Sequence, residues 1–434
     1  MDLMYMAGAL EQQDVKCTLI DYPGEEWGWE RYEEDIKRLR PDMLLLSTTT
    51  PTMDRDLRAA QIAKAVRPDT VVGVKGAHFR KDDPEVLKQY PMVDVVMRGE
   101  FEETIAELVS REDWENVKGI IFRRDGKIVS TGNRPLQEDL DKIPFPARHL
   151  VNNRLYPRPD TGELQTTIVT NRGCPEKCVF CLAPSVSGRE NRRRSIPNIL
   201  AEIENCLNQH GINNFLFRSD TFTMDPDWVI RLCQGIERAG LKIKWSCNSR
   251  VDTLSGEMLR AMREAGCWLI SFGVESGSQE ILDLMKKNIT KEQVRAAINL
   301  CKVEEVLTSV YFLIGTPWES EETFQETLEF ARQIEPDFVE FFYAYPFEGT
   351  EMYVISANMG LLERGDHPLS AYSKPAIPTQ HLTLDRLMEM RNEALRDYYL
   401  RWPVIRKTVL RARSPRVFVN YARFGLVQLA DLVT

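Results

Sequence analysis

The 434-residue chain has no run of about 18 apolar residues, so nothing in it is expected to span a membrane. Its first residues have no basic stretch followed by an apolar one, so no secretory signal is expected. A disulfide framework is also missing. Six of the nine cysteines stand singly, which suits a reducing compartment and predicts a cytoplasmic protein. A net charge of −9 leaves no general basic footprint, so nucleic-acid binding is not expected. The exception is local: from Arg401 onward there are seven Lys/Arg and a single acid, Asp431. What is present is an ordinary globular composition, 43% hydrophobic and 28% charged, in a length that predicts two or three domains.

Residues 1–110 alternate helix and strand patterns. "LMYMAGALEQQ", "RYEEDIKRLR" and "RDLRAAQIAKAVR" read as helices, and "KCTLIDY", "MLLLSTTT", "TVVGVKG" and "VDVVMRGE" as strands. Apolar β-branched strands between amphipathic helices predict a doubly wound, Rossmann-like parallel sheet of an α/β protein. Residues 111–163 read as a hairpin turning at Asp125-Gly126, then a linker, "KIPFPARHL", punctuated by Pro144 and Pro146. Over 164–360 a second series supplies six strands: "LQTTIVTNRG", "NNFLFRSD", "KIKWSCNSR", "WLISFGVES", "SVYFLIGTP" and "DFVEFFYAY". Helices separate them, which predicts a partial (βα)6 TIM-like barrel, with a doubly wound open sheet as the alternative. Residues 361–434 read as a helical extension ending in the basic tail.

In parallel barrels the chemistry gathers at the C-terminal ends of the strands. Asp220, Arg250 and Glu275-Ser276 fall there, on the second, third and fourth strands of this series. The two-residue alternation places Ser246, Asn248 and Arg250 on one face, and likewise Ser271, Gly273 and Glu275, opposite the apolar residues between them. Capping helices and pairing with one another is the plain alternative for such residues.

The loop after the first strand of the series, "NRGCPEKCVFCLAP", places Cys174, Cys178 and Cys181 within eight positions. A close trio of thiolates selects a soft metal. Structural zinc needs four ligands and no second close cysteine pair exists, leaving only a remote histidine such as His149 or His210 as a fourth. Iron–sulfur clusters normally take four cysteines, so three leave one iron open to a substrate or cofactor. Cys206, Cys233, Cys247, Cys267 and Cys301 read as core packing.

This C-x-x-x-C-x-x-C spacing in its strand–loop context resembles the radical S-adenosylmethionine (SAM) enzymes. The resemblance implies a [4Fe-4S] cluster on Cys174, Cys178 and Cys181, whose open iron chelates SAM and whose electron cleaves it to a 5′-deoxyadenosyl radical. It further implies Phe180 near adenine and contacts to SAM from Asp220, Arg250, Glu275, Ser276 and Gly315, in "RSDTFTMD", "NSRVD", "GVESGS" and "LIGTPWES". A one-electron donor such as flavodoxin or ferredoxin is implied as partner. "GAHFRKDDPEVLKQYPMVDVVMRGEFEETIAEL" resembles the last part of a cobalamin-binding domain fused to one subgroup: anaerobic cyclases, hopanoid-modifying enzymes and cobalamin-dependent methyltransferases.

Such domains begin with a strand and often a D-x-H-x-x-G loop. Here Met1 falls where the first helix starts and no D-x-H-x-x-G occurs. The expectation is a sheet lacking its first strand, by a start lying upstream or a domain reduced to a structural appendage, and cobalamin held weakly or not at all; His78 in "VKGAHF" is the histidine placed to approach a ligand, with a plain surface-loop position as the favoured reading. Methyl transfer and oxidative cyclisation of a small, lipid-like or polycyclic molecule are the implied reactions. A non-enzymatic iron–sulfur or zinc module with a nucleotide-binding-like domain is the alternative. The basic and aromatic tail, "RWPVIRKTVLRARSPRVFVNYARFG", carries an expectation of peripheral membrane contact, against a helix docked on an acidic protein.

Overall fold

The computed structural model describes residues 1–79, 84–363, 374–411, 417, 419 and 420. It forms two compact units: Met1–Leu155 with Gly173–Pro175 and Leu182–Arg194, and Tyr156–Arg172 with Glu176–Cys181 and Ser195–Thr434. The tail residues Arg413, Arg416, Phe418, Tyr421 and Phe424 lie outside the described residues.

In the first unit, α1 (Asp2–Glu11) and α2 (Trp29–Leu39) precede β1 (Met43–Thr48), α3 (Met53–Val66), β2 (Val71–Gly76), α4 (Glu85–Gln89), β3 (Val95–Met97) and α5 (Glu102–Ser110). The hairpin β4 (Ile120–Arg124) and β5 (Lys127–Ser130) follows. The sheet runs in that order, parallel from β1 to β3 and antiparallel from β3 to β5. The hairpin thus extends the first sheet instead of standing apart in the connecting region 111–163. Its turn residues Asp125 and Gly126 both take positive φ, 49° and 73°, as a two-residue turn matched to strand twist requires. Met53, Leu57 and Ala60 of α3 pack on Val72, Val74 and Val96. Helix α1 buries Tyr5, Met6, Ala7 and Leu10, and a Cβ at Gly8 would stand 2.5 Å from the Phe145 carbonyl, so the backbones meet there.

One expected strand is absent. In "KCTLIDY" the side chains of Lys16 and Thr18 are exposed while Cys17 and Leu19 are half-buried, so the two-residue alternation is real. Among the described residues no ladder partner takes up its backbone, and a period-two pattern without a partner is not a strand.

The second unit holds β6 (Gln165–Val169), α6 (Ile196–His210), β7 (Asn214–Arg218), α7 (Pro226–Arg238), β8 (Lys244–Ser249), α8 (Gly256–Glu264) and β9 (Cys267–Glu275). It continues through α9 (Gln279–Leu284), α10 (Lys291–Val303), β10 (Leu307–Ile314), α11 (Glu321–Ile334), β11 (Phe338–Tyr343), α12 (Glu351–Asn358), α13 (Leu384–Tyr399) and α14 (Trp402–Arg411). The six strands lie side by side in chain order and all parallel. A doubly wound sheet needs a reversal of order; this one has none and is the open, partial barrel. The side chains of Ser195, Asp225, Ser255, Thr290 and Ser320 each accept a first-turn N–H, starting α6, α7, α8, α10 and α11.

Trp245, Cys247, Ile270, Phe272, Val274, Val310 and Phe312 form the buried outer face of the strands. Cys206, Cys233, Cys267 and Cys301 join this core, and burial pushes the thiols of Cys233, Cys267 and Cys301 up. The free side of β11 is covered by α13: Arg391 Nε donates to the Phe341 carbonyl at 2.9 Å, beside Tyr399 on Val339.

Candidate active site

The cysteine loop is fixed by backbone. In the first unit, Gly173 takes φ +94°, and a Cβ there would lie 1.9 Å from the Glu190 carbonyl oxygen. Asn191 Nδ2 donates to the Gly173 carbonyl at 3.2 Å, and the Cys174 N–H to the Gly188 carbonyl at 3.1 Å. Arg192 and Glu100 hold the returning segment by a 2.8 Å ion pair whose side chains are both nearly buried. In the second unit, the Val179 N–H donates to Met285 O at 3.1 Å and Val179 O accepts from Met352 N–H at 2.9 Å, strapping the loop to the exits of α9 and the start of α12.

Cys174 is buried, Cys178 half-buried and Cys181 exposed; no disulfide forms among the nine cysteines. Among the described residues, no group of three or more His, Cys, Asp or Glu side chains is close enough to hold a metal ion. What fits an iron–sulfur cluster is the donor chemistry: three thiols on one anchored loop. His149 pairs instead with Glu11 at 2.8 Å, and His210 ends α6.

Within the second unit the strand ends converge. Arg250, at the end of β8, is buried and binds Asp252 through two bonds of 2.9 and 2.8 Å, the Lys287 carbonyl at 3.0 Å and Glu176 at 3.6 Å. Burial opposes its charge, but the hydrogen bond and charge of Asp252, with Glu176 and Cys178 nearby, hold its pKa above the ordinary value. Glu275 ends β9 past a bulge: Gly273 pairs Tyr311 and Glu275 pairs the next residue, Phe312, so Val274 is extra. The bulge and a φ of +74° re-aim the Glu275 carboxylate. Lys287, flanked by left-handed Lys286 and Asn288, donates to it. Lys287 Nζ also lies 5.9 Å from the centre of the Phe180 ring, which packs against the core.

The other expected residues are placed less directly. Asp220 is half-buried just beyond β7. Ser276 is buried, and its hydroxyl is engaged by Thr327 Oγ1 at 3.2 Å and the Ser278 N–H at 3.1 Å. Gly315 takes φ +82°, with Leu387 3.1 Å from where its Cβ would stand, and its N–H donates to the Glu319 carboxyl. Glu319 is wholly buried, and desolvation pushes its pKa up to about 8 despite the N–H donors of Gly315 and Thr316. Lys287, Glu176 and Glu319 were not singled out from sequence. Twelve residues separate Lys287 from Glu275, and only the turn after α9 joins them.

An open parallel barrel with a three-cysteine loop after its first strand and buried charge at the neighbouring strand ends defines a radical SAM fold. The Radical SAM superfamily profile matches residues 168–331, and the B12 binding domain profile matches residues 1–109. An uncharacterized methyltransferase of Pyrococcus horikoshii is 30% identical over 94% of this chain and 89% of its own. The anaerobic magnesium-protoporphyrin IX monomethyl ester cyclase of Rubrivivax gelatinosus is 32% identical over 77% of this chain and 62% of its own. Among solved structures, the cobalamin-dependent SAM radical enzyme OxsB with aqua-cobalamin and SAM bound superposes with TM-score 0.73 at 16% identity, over 100% of this chain and 69% of that one. The chain belongs to the radical SAM superfamily, in the group with an N-terminal B12-binding domain, and it is a radical SAM enzyme.

Proposed function

We propose that this chain is a cobalamin-using radical SAM enzyme that transfers a methyl group to an unactivated carbon. The observation that carries the SAM reading is the buried frame of Arg250, Glu275 and Lys287 beside Phe180. SAM presents a carboxylate, an ammonium, a ribose and an adenine; two cations, an acid and an aromatic ring are the groups that bind them. Arg250 and Lys287 take the carboxylate, Glu275 the ammonium or ribose hydroxyls, and Phe180 lies against the adenine; Asp220 and the Gly315 backbone border it. When bound on Cys174, Cys178 and Cys181, the cluster supplies the electron that cleaves SAM to the 5′-deoxyadenosyl radical. A flavodoxin or ferredoxin in the cytoplasm would supply that electron.

The match of residues 1–109 to the B12 binding domain supports cobalamin, which when bound supplies a methyl carrier. It opposes the expectation of weak or no binding. The His78 ring packs edge-on against Phe79 and Tyr90, an ordinary loop placement. Oxidative cyclisation is the second reading, favoured by the likeness to the Rubrivivax cyclase.

The test is anaerobic reconstitution with iron, sulfide and hydroxocobalamin, then desalting and a visible spectrum. Reduction with dithionite in the presence of SAM follows. Retained cobalamin with both 5′-deoxyadenosine and S-adenosylhomocysteine is the expected result. Deoxyadenosine alone favours cyclisation, and no deoxyadenosine overturns the reading.

A further inference from the structure

Helix α14 is packed with its apolar side outward. Its inner side places Val404 against the core, while Lys407 pairs with Asp337 at 2.5 Å and Arg401 reaches Glu335 at 4.0 Å. Its outer side exposes Trp402 (73%), Ile405 (38%), Val409 (50%) and Leu410 (70%), with Arg406 among them. Spacings of three and four make these one face of the helix. The concentration is local. Of fourteen exposed large hydrophobic side chains among the described residues, six lie at or beyond Leu400.

A water-facing apolar stripe of this kind needs an occupant. A second copy is disfavoured by charge, because the segment from Arg401 carries seven Lys/Arg against one acid and self-pairing would bring two such segments together. An anionic surface is complementary to it. Among the described residues no helix is long and apolar enough to cross a membrane, so contact would be at the surface. Tryptophan with aliphatic side chains and interleaved arginine is the composition of helices that lie in the headgroup region.

We propose that the outer face of α14 docks on an anionic membrane surface, with Trp402, Ile405, Val409 and Leu410 entering the headgroup–acyl boundary and Arg406 among the lipid phosphates. The contact is independent of which reaction the barrel performs.

Flotation of the full-length protein with phosphatidylcholine vesicles containing phosphatidylglycerol, and with phosphatidylcholine alone, tests it. The expected result is flotation on the anionic vesicles only, weakened by salt. The W402E/L410E variant should lose about tenfold or more in binding, and R406E should bind more weakly with the apolar face intact. All three substitutions are at exposed positions, and near-UV circular dichroism checks that the fold is kept. Equal flotation by W402E/L410E and wild type, equal flotation on both lipids, or no flotation overturns the proposal. A dimer in vesicle-free solution that W402E/L410E abolishes also overturns it, in favour of a second copy.

Discussion

Lys287 Nζ stands 2.8 Å from Glu275 Oε1, and the two side chains are only 8% and 10% exposed. Neither charge is hydrated enough to stand alone, so each needs the other until a ligand with its own charges arrives. The pair therefore has two roles that separate by mutation. Lys287→Ala strands a buried carboxylate and should cost about 3–5 kcal/mol in urea unfolding. The double variant E275L/K287M removes both charges and should recover most of that loss. SAM binding should fail in both. Recovery of SAM binding along with stability in the double variant would show that the pair only supports the fold.

The three loop cysteines should be irreplaceable and the core cysteines dispensable. Cys174→Ala, Cys178→Ala and Cys181→Ala are each expected to lose reconstituted iron and 5′-deoxyadenosine formation. Cys206→Ala, buried in the core, should keep both and cost about 1 kcal/mol of stability. Deoxyadenosine production at wild-type level by any loop variant would falsify the cluster assignment.

The six barrel strands were legible because each carries its own apolar pattern and several of the helices between them open on a side-chain cap, as at Thr290 and Ser320. Trp245 and Cys247 could be assigned to the buried face before any fold was known. Relationships between segments were not legible. "KCTLIDY" has the local pattern of a strand, and only pairing decides whether it becomes one. The bulge at Val274 and the return of Lys287 under Glu275 arise from register and turn geometry, which no residue spells out alone. Ser276 reads as a ligand contact in a motif, yet its hydroxyl is used by Thr327 and Ser278.

Glu319 gives the fold a pH dependence of unusual sign for a carboxylic acid. Its folded pKa, about 8, lies above the ordinary 4.5, so between those values the unfolded chain releases a proton that the folded chain keeps. Stability is fully present below pH 4.5 and falls as pH rises toward 8, by about 4–5 kcal/mol at most. Glu319→Gln should remove this slope. The difference in urea midpoint between wild type and Glu319→Gln should shift in the variant's favour from pH 5 to pH 8; a constant difference would mean Glu319 ionises freely.

Tyr399 seals the edge of the barrel sheet. Its hydroxyl accepts the Val339 N–H at 3.0 Å and donates to the Val339 carbonyl at 2.7 Å, standing in for a neighbouring strand. Tyr399→Phe leaves both backbone groups without that partner and should cost about 1–3 kcal/mol in thermal or urea unfolding. Amide hydrogen exchange at Val339 should accelerate while that of β8 stays slow. Unchanged exchange at Val339 would mean water satisfies the strand edge equally well.

Gly173 should matter more to the cluster than its lack of a side chain suggests. It precedes Cys174, sits at φ +94°, and leaves 1.9 Å between the position of a Cβ and the Glu190 carbonyl oxygen. That neighbour is backbone, held by the same returning segment that Arg192 and Glu100 anchor, so it cannot swing aside as a side-chain tip would. Alanine at 173 must therefore displace either the loop or the segment, and both carry the Cys174 N–H bond to Gly188. Gly126 provides the control. It too has a positive φ, 73°, but nothing lies within 4 Å of its Cβ position. Gly126→Ala should cost about 1 kcal/mol of conformational strain and leave iron content unchanged. Gly173→Ala should add the steric conflict to that strain and lower both iron retained after desalting and the visible absorbance of the reconstituted protein. If both variants retain iron equally, the close approach at Gly173 is relieved elsewhere and does not position Cys174.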